Sequence, residues 1–528
     1  MKKISSAISQ PLYSVAATRL MELQAAAQLP PYALMQRAGL SVARLTLALA
    51  PHAQRIWVAC GPGNNGGDGF EAALQLHQMG KPVLVSWTGL PAGKADMPPD
   101  ARASRERALA AGVTITTEAP DEFDFCIDAL LGLGAQLDTG RSDNTLIQTW
   151  LDRMQARQVP RLAVDLPSGL DADTGYSSAS SFIATHAQQE SHIGLFTLSL
   201  LTLKPGLFTA SGRDHAGEVW FDNLGLAAAE NAAEQPCAWL LGADHAAPAL
   251  QSGTSGSNRT RHASHASHAS HKGTFGDVAI LGGQSGATSH MTGAALLAAR
   301  AALNAGAGRV FVAVLYETDP GDDDRLTLDP VQPELMFRSP GQLDMQRQAV
   351  VCGCGGGEAV KTVIARVLST ATRAVLDADA LNAIANDPQR QSELKARHQR
   401  GHLAVLTPHP LEAARLAGTS VSEVQASRLT AARELAKRFQ CVVVLKGSGT
   451  VIASPGRPSF VNSTGNALLA TAGTGDVLAG MIGAGLARGA DAFEAASNAV
   501  FKHGKLADDW AARWPGRILT AALLARSQ

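Results

Sequence analysis

The chain has 528 residues, and at roughly 150 residues per domain this length suggests three or four domains, or two large ones. Hydrophobic residues make up 45% and charged residues 17%, a composition that permits buried cores and excludes wholesale disorder. Lys and Arg number 45 against 46 Asp and Glu, so the formal net charge is −1 and no overall basic excess indicates nucleic-acid binding. The 51 glycines and few aromatics favour phosphate-binding loops over base-stacking surfaces.

Nothing in the sequence predicts export or membrane insertion. The amino-terminal sequence MKKISSAISQPLYS lacks the apolar segment of a secretory signal. The longest apolar stretch, residues 193–203, is about half the roughly 20 residues that a membrane span needs. The six cysteines contain no CxxC pair and are too few for a disulfide scaffold. We therefore expect a cytoplasmic protein that does not bind membranes.

Residues 225–271 differ from the rest of the chain, because they are rich in Ala, Ser, Gly and His. They end in histidines spaced three residues apart, His262, His265, His268 and His271. The composition predicts a solvated linker. A metal site is the alternative, but nothing in the segment fixes the geometry that selective coordination requires. We therefore expect a first domain over residues 1–224 and a second domain over residues 272–528.

In the first half, a helical segment at residues 14–50 precedes alternating strand and helix patterns. Buried parallel strands are predicted at residues 55–60, 82–87, 123–130 and 162–166. Helices are predicted at residues 69–78, 101–111 and 145–157. This alternation predicts βαβ units in a doubly wound sheet.

GPGNNGGDGF, residues 61–70, follows the first of these strands and opens a helix. Three of its glycines satisfy GxGxxG, but the next strand ends in VSWTGL without the acid that holds a ribose. A simple nicotinamide-dinucleotide dehydrogenase is therefore disfavoured. The motif predicts an anion-binding loop that presents Asn64, Asn65 and Asp68 to a ligand. The alternative is a tight turn that uses glycines only for their dihedral angles.

Two further polar motifs end strands, DALLGLGAQLD from Asp128 and DLPSGLDADTG from Asp165. Since the carboxyl ends of strands in a doubly wound sheet line one crevice, these aspartates should meet Asn65 and Ser168 there. Their oxygen atoms suit an alkali or alkaline-earth ion better than zinc. The alternative, that the aspartates only cap the following helices, applies best to Asp128.

The second half repeats the α/β pattern and should fold independently. Its predicted strands are residues 278–281, 309–315, 349–352, 374–376, 403–406 and 442–445. Its predicted helices are residues 291–305, 421–439, 477–487 and 492–510. Candidate ligand loops end three of the strands: CGCGGG (352–357), LDADALN (376–382) and LTPHPLE (406–412). In the last of these, His409 lies between two prolines and can contact a ligand at little ordering cost, although a lone His is more often structural.

The most specific local motif is NSTGNALLATAGTGDVLAG, residues 462–480. Its glycines precede Asp476 at a helix start, where backbone N–H groups can stabilise a developing phosphate charge. Asp476 can take a proton from a substrate hydroxyl, or it can be only a helix N-cap. VVLKGSGTVI, residues 443–452, predicts two strands joined by a basic turn. Lys446 in that turn suits a nucleotide phosphate, although an ordinary hairpin is equally compatible.

Together these motifs resemble the bifunctional NAD(P)H-hydrate repair enzyme family, an NAD(P)H-hydrate epimerase fused to an ADP-dependent NAD(P)H-hydrate dehydratase. GPGNNGGDG, DALLG and DLPSGLDADTG resemble the epimerase domain, a Rossmann-like three-layer αβα fold. KGTFGDVAILGG, DADALN, LTPHP, VVLKGSGT and TGNALLATAGTGDVLAG resemble the dehydratase domain, a ribokinase-like α/β fold. The resemblance covers nearly the whole chain apart from the predicted linker.

The resemblance implies small-molecule substrates: NADH and NADPH hydrated on the nicotinamide ring (NADHX and NADPHX), and ADP. The first domain would interconvert the R and S hydrates, with a potassium ion in its site. The second would dehydrate the S hydrate while ADP becomes AMP and phosphate, with Mg²⁺ in its site. We also expect a homo-oligomer.

The resemblance further implies site residues. Hydrate contacts in the first domain would be Asn64, Asn65, Gly66, Gly67, Asp68, Gly132, Leu133, Gly134, Ala135, Gln136, Leu137, Asp138 and Asp165. Potassium ligands would be Asn65, Asp128 and Ser168. Hydrate contacts in the second domain would be Ala287, Gly357, His409 and Asp476. The adenine nucleotide would be held by Lys446, Gly447, Ser448, Gly449, Thr450 and Gly475.

Asp476 and Asp165 are the expected catalytic residues. Asp476 would deprotonate the hydroxyl of the hydrate, which attacks the β-phosphate of ADP, and the phosphorylated group then leaves. Asp165 would be the acid/base group of the epimerase. One alternative is that the second half is a ribokinase-like kinase of a vitamin precursor alcohol that prefers ATP. Another is that the first half is a ligand-binding module without catalytic activity.

Overall fold

The computed structural model describes residues 1–90, 96–134, 142–177, 194–226, 235–246, 270–286, 290–317 and 325–527. The predicted ligand contacts Ala135, Gln136, Leu137, Asp138 and Ala287 lie outside the described residues, as do His262, His265 and His268. The chain forms two compact units, Met1–Ser5 with Pro11–Ala238 and Ser6–Gln10 with Trp239–Gln528. In the described ranges, no helix has both the length and the apolar character that a membrane span requires.

The chain begins with two short strands, β1 (Lys2–Lys3) and β2 (Gln10–Leu12). The other strands of the first unit are β3 (Ile56–Cys60), β4 (Val83–Trp87), β5 (Thr114–Thr116), β6 (Phe125–Ala129), β7 (Arg161–Val164), β8 (Leu195–Leu200) and β9 (Glu218–Asp222). Its helices are α1 (Val15–Gln28), α2 (Ala33–Leu49), α3 (Asn64–Gln78), α4 (Pro99–Ala110), α5 (Ser142–Ala156) and α6 (Gly212–Ala216).

The first sheet has the strand order β1-β9-β8-β7-β6-β3-β4-β5. Neighbouring strands are parallel except β1 and β9, which are antiparallel. The chain runs outward from β3 to β5 and returns to β6 on the other side of β3. The carboxyl ends of β3 and β6 therefore form the topological switch point, where sheets of this kind bind ligands.

The second unit continues the numbering. Its strands are β10 (Ala238–Leu241), β11 (Asp277–Ser285), β12 (Arg309–Tyr316), β13 (Met336–Phe337), β14 (Ala349–Cys352), β15 (Arg373–Leu376), β16 (Leu403–Leu406), β17 (Val442–Leu445), β18 (Val451–Ala453) and β19 (Phe460–Asn462). Its first helices are α7 (Ala243–Ala246), α8 (Thr292–Asn304), α9 (Ile364–Thr370), α10 (Asp379–Ala385) and α11 (Pro388–Gln399). They are followed by α12 (Pro410–Ala417), α13 (Val421–Ala426), α14 (Arg428–Phe439), α15 (Thr474–Ala487), α16 (Ala492–Arg513) and α17 (Ala521–Arg526).

The second sheet has the order β13-β12-β11-β14-β15-β16-β17-β18-β19-β10-β2. The strands from β13 to β17 are parallel, and β18 runs antiparallel to both β17 and β19. The doubly wound α/β architecture predicted for both halves is thus confirmed. The two strands joined by a turn that were predicted at residues 443–452 are also observed, as β17 and β18.

Three predictions about individual segments are wrong. The predicted linker contains β10, which pairs in parallel with β19 and buries Leu240 and Leu241 in the second unit. Helix α3 begins at Asn64, so residues 64–68 form its first turns instead of a loop. The helix predicted at residues 421–439 is interrupted at Ser427, whose backbone is not helical, and the buried Arg428 that follows donates to the carbonyls of Leu445 and Lys446.

Close packing between α8 and α15 gives a test of this fold. A Cβ at Gly480 would lie 2.0 Å from the carbonyl oxygen of Ala298. We therefore expect Gly480→Ala to lower the free energy of unfolding by about 1–3 kcal/mol, measured by urea denaturation. Gly293→Ala in α8 is the matched control, because no described atom lies within 4 Å of the added Cβ. Equal stability of the two variants would contradict the packing described.

Candidate active sites

A cavity of about 430 Å³ lies at the carboxyl ends of the strands in the first unit. Six predicted site residues are among those that line it: Asn64, Asn65, Asp68, Gly132, Leu133 and Asp165. The structure therefore brings these predicted residues together, because parallel strands deliver their following loops to one edge of the sheet.

The predicted contacts Gly66 and Gly67 have a packing role and are not among the residues that line the cavity. A Cβ at Gly66 would lie 1.9 Å from the carbonyl oxygen of Gly61, and one at Gly67 would lie 2.6 Å from the sulfur of Met35. Gly66 therefore lets α3 start directly against the end of β3, and Gly67 lets it pack closely against α2. Gly134, which has a φ of 79°, is likewise not among the lining residues.

A buried ion pair joins Asp165, at the end of β7, to Lys204. Lys204 is 0% exposed, and its Nζ also donates to the carbonyl of Leu200 at 2.8 Å. The N–H of Leu200 donates to Oδ1 of Asp165 at 2.9 Å, so the carboxylate is held from two directions. Asp165 itself has a left-handed backbone, with a φ of 64°. This conformation persists because the surrounding contacts fix it.

Three other carboxyl residues line the cavity: Asp68, Glu22 and Asp100. Burial raises the pKa of Asp68 well above its ordinary value, and the carboxylates of Asp165 and Glu22 add to the effect. The pKa of Glu22 is raised by burial and by Asp165, while Lys204 and Arg19 act in the opposite direction. A lysine-paired carboxylate thus lies near a carboxyl whose pKa is raised, an arrangement that can accept one proton and deliver another.

The three predicted potassium ligands meet around the backbone of Leu131. Its N–H donates to Oγ of Ser168 at 2.9 Å, and its carbonyl accepts from Nδ2 of Asn65 at 2.9 Å. Oδ1 of Asp128 accepts from Oγ of Ser168 at 2.6 Å, and Oδ2 of Asp128 accepts from the backbone N–H of Ser168 at 3.0 Å. Asp128 is 1% exposed, and no Lys or Arg of the described residues forms an ion pair with it. A buried carboxylate without a cationic side chain beside it fits a bound monovalent cation.

The second unit gathers its polar groups where β14, β15 and β17 end. Nζ of Lys446 donates to Oδ1 of Asp377 at 2.7 Å, and Oγ1 of Thr407 donates to the same oxygen at 2.8 Å. Ligand atoms of Cys354, Asp377 and Asp476 lie within 4.8 Å of one another. The predicted residues Lys446 and Asp476 are therefore brought together at the start of α15.

Burial and the nearby Asp377 raise the pKa of Asp476 from 3.8 to about 7, although a hydrogen bond with Cys354 and the charge of Lys446 lower it. The N-cap of α15 is Gly473, which has a φ of 90°. Asp476 lies in the first turn of the helix, so the N-cap interpretation of this residue is wrong. Its carboxyl titrates near neutral pH and is suited to general-base catalysis.

The other predicted nucleotide contacts, Gly447, Ser448, Gly449 and Thr450, form the turn between β17 and β18. Arg428 braces this turn, because it donates to the carbonyls of Leu445 and Lys446 at 3.2 and 3.1 Å. A Cβ at the predicted contact Gly475 would lie 3.3 Å from Nζ of Lys446. The amide of Gly475 and the ammonium group of Lys446 can therefore serve the same phosphate.

His409 and Gly357 have structural partners. Nδ1 of His409 accepts from the N–H of Leu411 at 3.1 Å, so the imidazole is the N-cap of α12, and 46% of the side chain is exposed. The N–H of Gly357 donates to Oδ2 of Asp379 at 2.8 Å. Neither contact excludes a ligand, and both ligand roles stay predictions.

Sequence reasoning did not predict that the side chains of Lys204, Asp377, Cys354 and Glu22 lie at these sites. Lys204 and Asp377 had a usable signal, since each is a charged residue directly following an apolar strand run. Glu22 had none, because a Glu on an amphipathic helix is usually exposed. Cys354 had none either, because a buried cysteine usually behaves as a small apolar residue.

Two family models match the chain. Residues 31–205 match YjeF-related protein N-terminus, and residues 278–527 match NAD(P)H-hydrate dehydratase. The bifunctional NAD(P)H-hydrate repair enzyme Nnr of Escherichia coli is 34% identical over 502 residues, which cover 93% of this chain and 87% of that protein. The ADP-dependent (S)-NAD(P)H-hydrate dehydratase of Neisseria meningitidis is 42% identical over 243 residues, or 45% of this chain and 78% of that protein.

A solved structure also resembles the second unit. It is the ADP/ATP-dependent NAD(P)H-hydrate dehydratase from Bacillus subtilis, co-crystallised with ATP and Mg²⁺. The sequence identity is 34% and the TM-score 0.41, over 50% of this chain and 90% of that chain. The relative from Escherichia coli aligns with nearly the whole chain and the two family models cover both units. The chain therefore belongs to the bifunctional NAD(P)H-hydrate repair enzyme family.

Proposed function

We propose that the chain repairs hydrated nicotinamide nucleotides through two activities. The first unit interconverts the R and S hydrates of NADH and NADPH. The second dehydrates the S hydrate to NADH or NADPH while ADP is converted to AMP and phosphate. The names of the relatives support this proposal. The structural observation that carries it is the carboxyl of Asp476, with a pKa of about 7, beside the Lys446–Asp377 pair at the start of α15.

Dehydration requires a better leaving group than hydroxide. The carboxylate of Asp476 takes the proton of the hydrate's hydroxyl, whose oxygen attacks the β-phosphorus of ADP as the bond to the α-phosphate breaks. AMP is released, and the hydrate carries a phosphate ester. The ring nitrogen then supplies the electron pair that expels phosphate. The neighbouring ring carbon loses a proton as the C=C bond re-forms.

The transferring phosphoryl group is stabilised by fixed positive charge. Lys446 is held by Asp377, and Arg428 fixes the carbonyls at the start of the same turn. The N–H groups of the first turn of α15 add their partial charge, because the helix start leaves them without intrahelical partners. These groups are in position before the reaction, so little reorganisation is needed when charge develops.

Magnesium fits this site through the carboxylate of Asp379, which lies in the first turn of α10 and contacts Gly357. Mg²⁺ is commonly bound by one or two carboxylates together with substrate phosphates. When bound, it would neutralise phosphate charge. Asp377 is less suited to Mg²⁺, because its Oδ1 accepts from Lys446 and Thr407 and its Oδ2 lies beside the thiol of Cys354.

In the first unit, epimerisation inverts the ring carbon that bears the hydroxyl. Departure of the hydroxyl as water and addition of water to the opposite face require one proton to be delivered and one to be removed. We assign proton delivery to Asp68, whose pKa burial raises, and proton acceptance to Asp165, which Lys204 holds. Asn65, Asp128 and Ser168 would hold potassium, which would bring positive charge to this edge of the cavity. The homo-oligomeric state and the cytoplasmic location stay predictions from the sequence.

Asp476→Asn tests the dehydratase directly. With a mixture of hydrate epimers and ADP, the wild-type chain should restore the reduced-nicotinamide absorbance completely. The variant loses its proton acceptor, so we expect the dehydration rate to fall by roughly 10²–10⁴-fold while epimerisation continues. Asp509→Asn, at an exposed carboxylate paired with Lys505, is the matched control and should keep the wild-type rate. ATP-dependent phosphorylation of a vitamin alcohol without NADH formation would instead favour the kinase alternative.

The same variant tests the pKa of Asp476 through stability. Because this pKa is raised from 3.8 to about 7, the folded chain binds the proton more tightly than the unfolded chain does. The wild type therefore loses stability as the pH rises from about 4 to about 7, and Asp476→Asn lacks this loss. The free energy of unfolding of the variant minus that of the wild type should increase by on the order of 2 kcal/mol between about pH 5 and pH 8. Parallel curves in urea denaturation would show that the pKa is ordinary.

The epimerase is tested by Asp165→Asn and Asp128→Asn. Both variants should stop ADP-dependent conversion near the S fraction of the mixture, apart from slow spontaneous epimerisation. Asp128→Asn removes the negative charge that favours the cation, so its residual epimerase should require more potassium. Epimerisation at the wild-type rate in Asp165→Asn would contradict the acceptor role. Identical potassium dependence in Asp128→Asn and the wild type would contradict the ion site.

A further inference from the structure

The proposed dehydratase reaction leaves the thiol of Cys354 without a role. Cys354 follows β14 and is 0% exposed. Its sulfur lies 4.0 Å from Oδ2 of Asp377. One ligand atom of each of Cys354, Asp377 and Asp476 lies within 4.8 Å of the other two. A thiol and two carboxylates have thus been brought to one buried point, which is a set of atoms that can bind a metal ion.

The distances between these atoms and their chemical types indicate which metal ion the site would bind. Zinc bonds to sulfur at about 2.3 Å and to carboxylate oxygen at about 2.0 Å, which in a tetrahedron puts the two ligands roughly 3.5 Å apart. The observed 4.0 Å between Sγ of Cys354 and Oδ2 of Asp377 therefore needs only a small side-chain adjustment. Thiolate favours zinc over magnesium and calcium, which prefer oxygen ligands only.

The two oxygens of Asp377 are used differently. Nζ of Lys446 and Oγ1 of Thr407 both donate to Oδ1, whereas Oδ2 faces the thiol. A metal ion can therefore bind Oδ2 while Lys446 keeps its bond to Oδ1. We infer that Cys354, Asp377 and Asp476 form a zinc site whose fourth position is open to water. Zinc at this site occupies the carboxylate of Asp476 and inhibits the second unit.

Binding is tested on the full-length chain with Cd²⁺, which replaces zinc and absorbs in the ultraviolet when a thiolate binds it. Histidine and carboxylate ligands do not produce this absorption, so the histidines near residue 271 do not contribute to it. The band should be present in the wild type and absent in Cys354→Ser and Cys354→Ala, with folding checked by circular dichroism. Cys441→Ser is the matched control, because Cys441 is also buried but lies before β17, at the opposite end of the strands. An unchanged band in both Cys354 variants overturns the site.

Inhibition is tested by the zinc dependence of ADP-driven dehydration, and this second measurement rests on the proposed function. Each variant is compared with its own rate in the absence of zinc. The half-inhibiting zinc concentration should rise at least about tenfold in Cys354→Ser and stay unchanged in Cys441→Ser, since even an outer-shell partner of a metal is commonly worth 10–100-fold in affinity. Equal zinc sensitivity of Cys354→Ser and the wild type overturns the inhibitory role. If no variant dehydrates the hydrate, the proposed function fails, while the cadmium band still decides whether the site exists.

Discussion

A lysine–aspartate ion pair, buried in the first unit and partly buried in the second, lies at the carboxyl edge of the parallel strands of each sheet, and each candidate site is organised around it. Lys204 pairs with Asp165 in the first unit, and Lys446 pairs with Asp377 in the second. Removing two charges from water is costly, and apolar side chains of similar size often stabilise a fold as well. Such pairs therefore contribute little to the stability of the fold. Their value is that they hold a charged group at a fixed place beside a substrate.

Each pair has a neighbouring carboxyl whose pKa is raised, Asp68 in the first unit and Asp476 in the second. In both cases burial is the largest cause, a nearby carboxylate adds to it, and the paired lysine opposes it. The aspartate and the lysine of each pair thus act in opposite directions on a pKa that burial mainly raises. In the proposed mechanisms, epimerisation and phosphoryl transfer both need a proton to be exchanged, and we assign that exchange in each unit to the same three-group arrangement.

Much of this arrangement could be predicted from the sequence, because parallel strands deliver their following loops to one edge of the sheet. The meeting of Asn65, Asp128 and Ser168 follows from that rule alone. The ion pairs do not follow from it. Asp377 and Lys446 are 69 residues apart, and their contact depends on β15, β16 and β17 lying side by side in that order. The lateral order of strands leaves no local pattern in the sequence. The short strand β10 left none either, because it lies within a segment whose composition is typical of a linker.

The zinc site inferred at Cys354 would let this architecture regulate the dehydration reaction. The groups that handle phosphate at the carboxyl edge are oxygen and nitrogen atoms, which suit magnesium and a nucleotide. A sulfur atom placed among them changes the metal preference of part of the site without altering the Lys446–Asp377 pair. A hard cation that arrives with the nucleotide and a softer one that binds the thiol would then have opposite effects on one reaction. The distinction arises from a single side chain at the end of β14, because β15 and α15 already fix the positions of the two carboxylates.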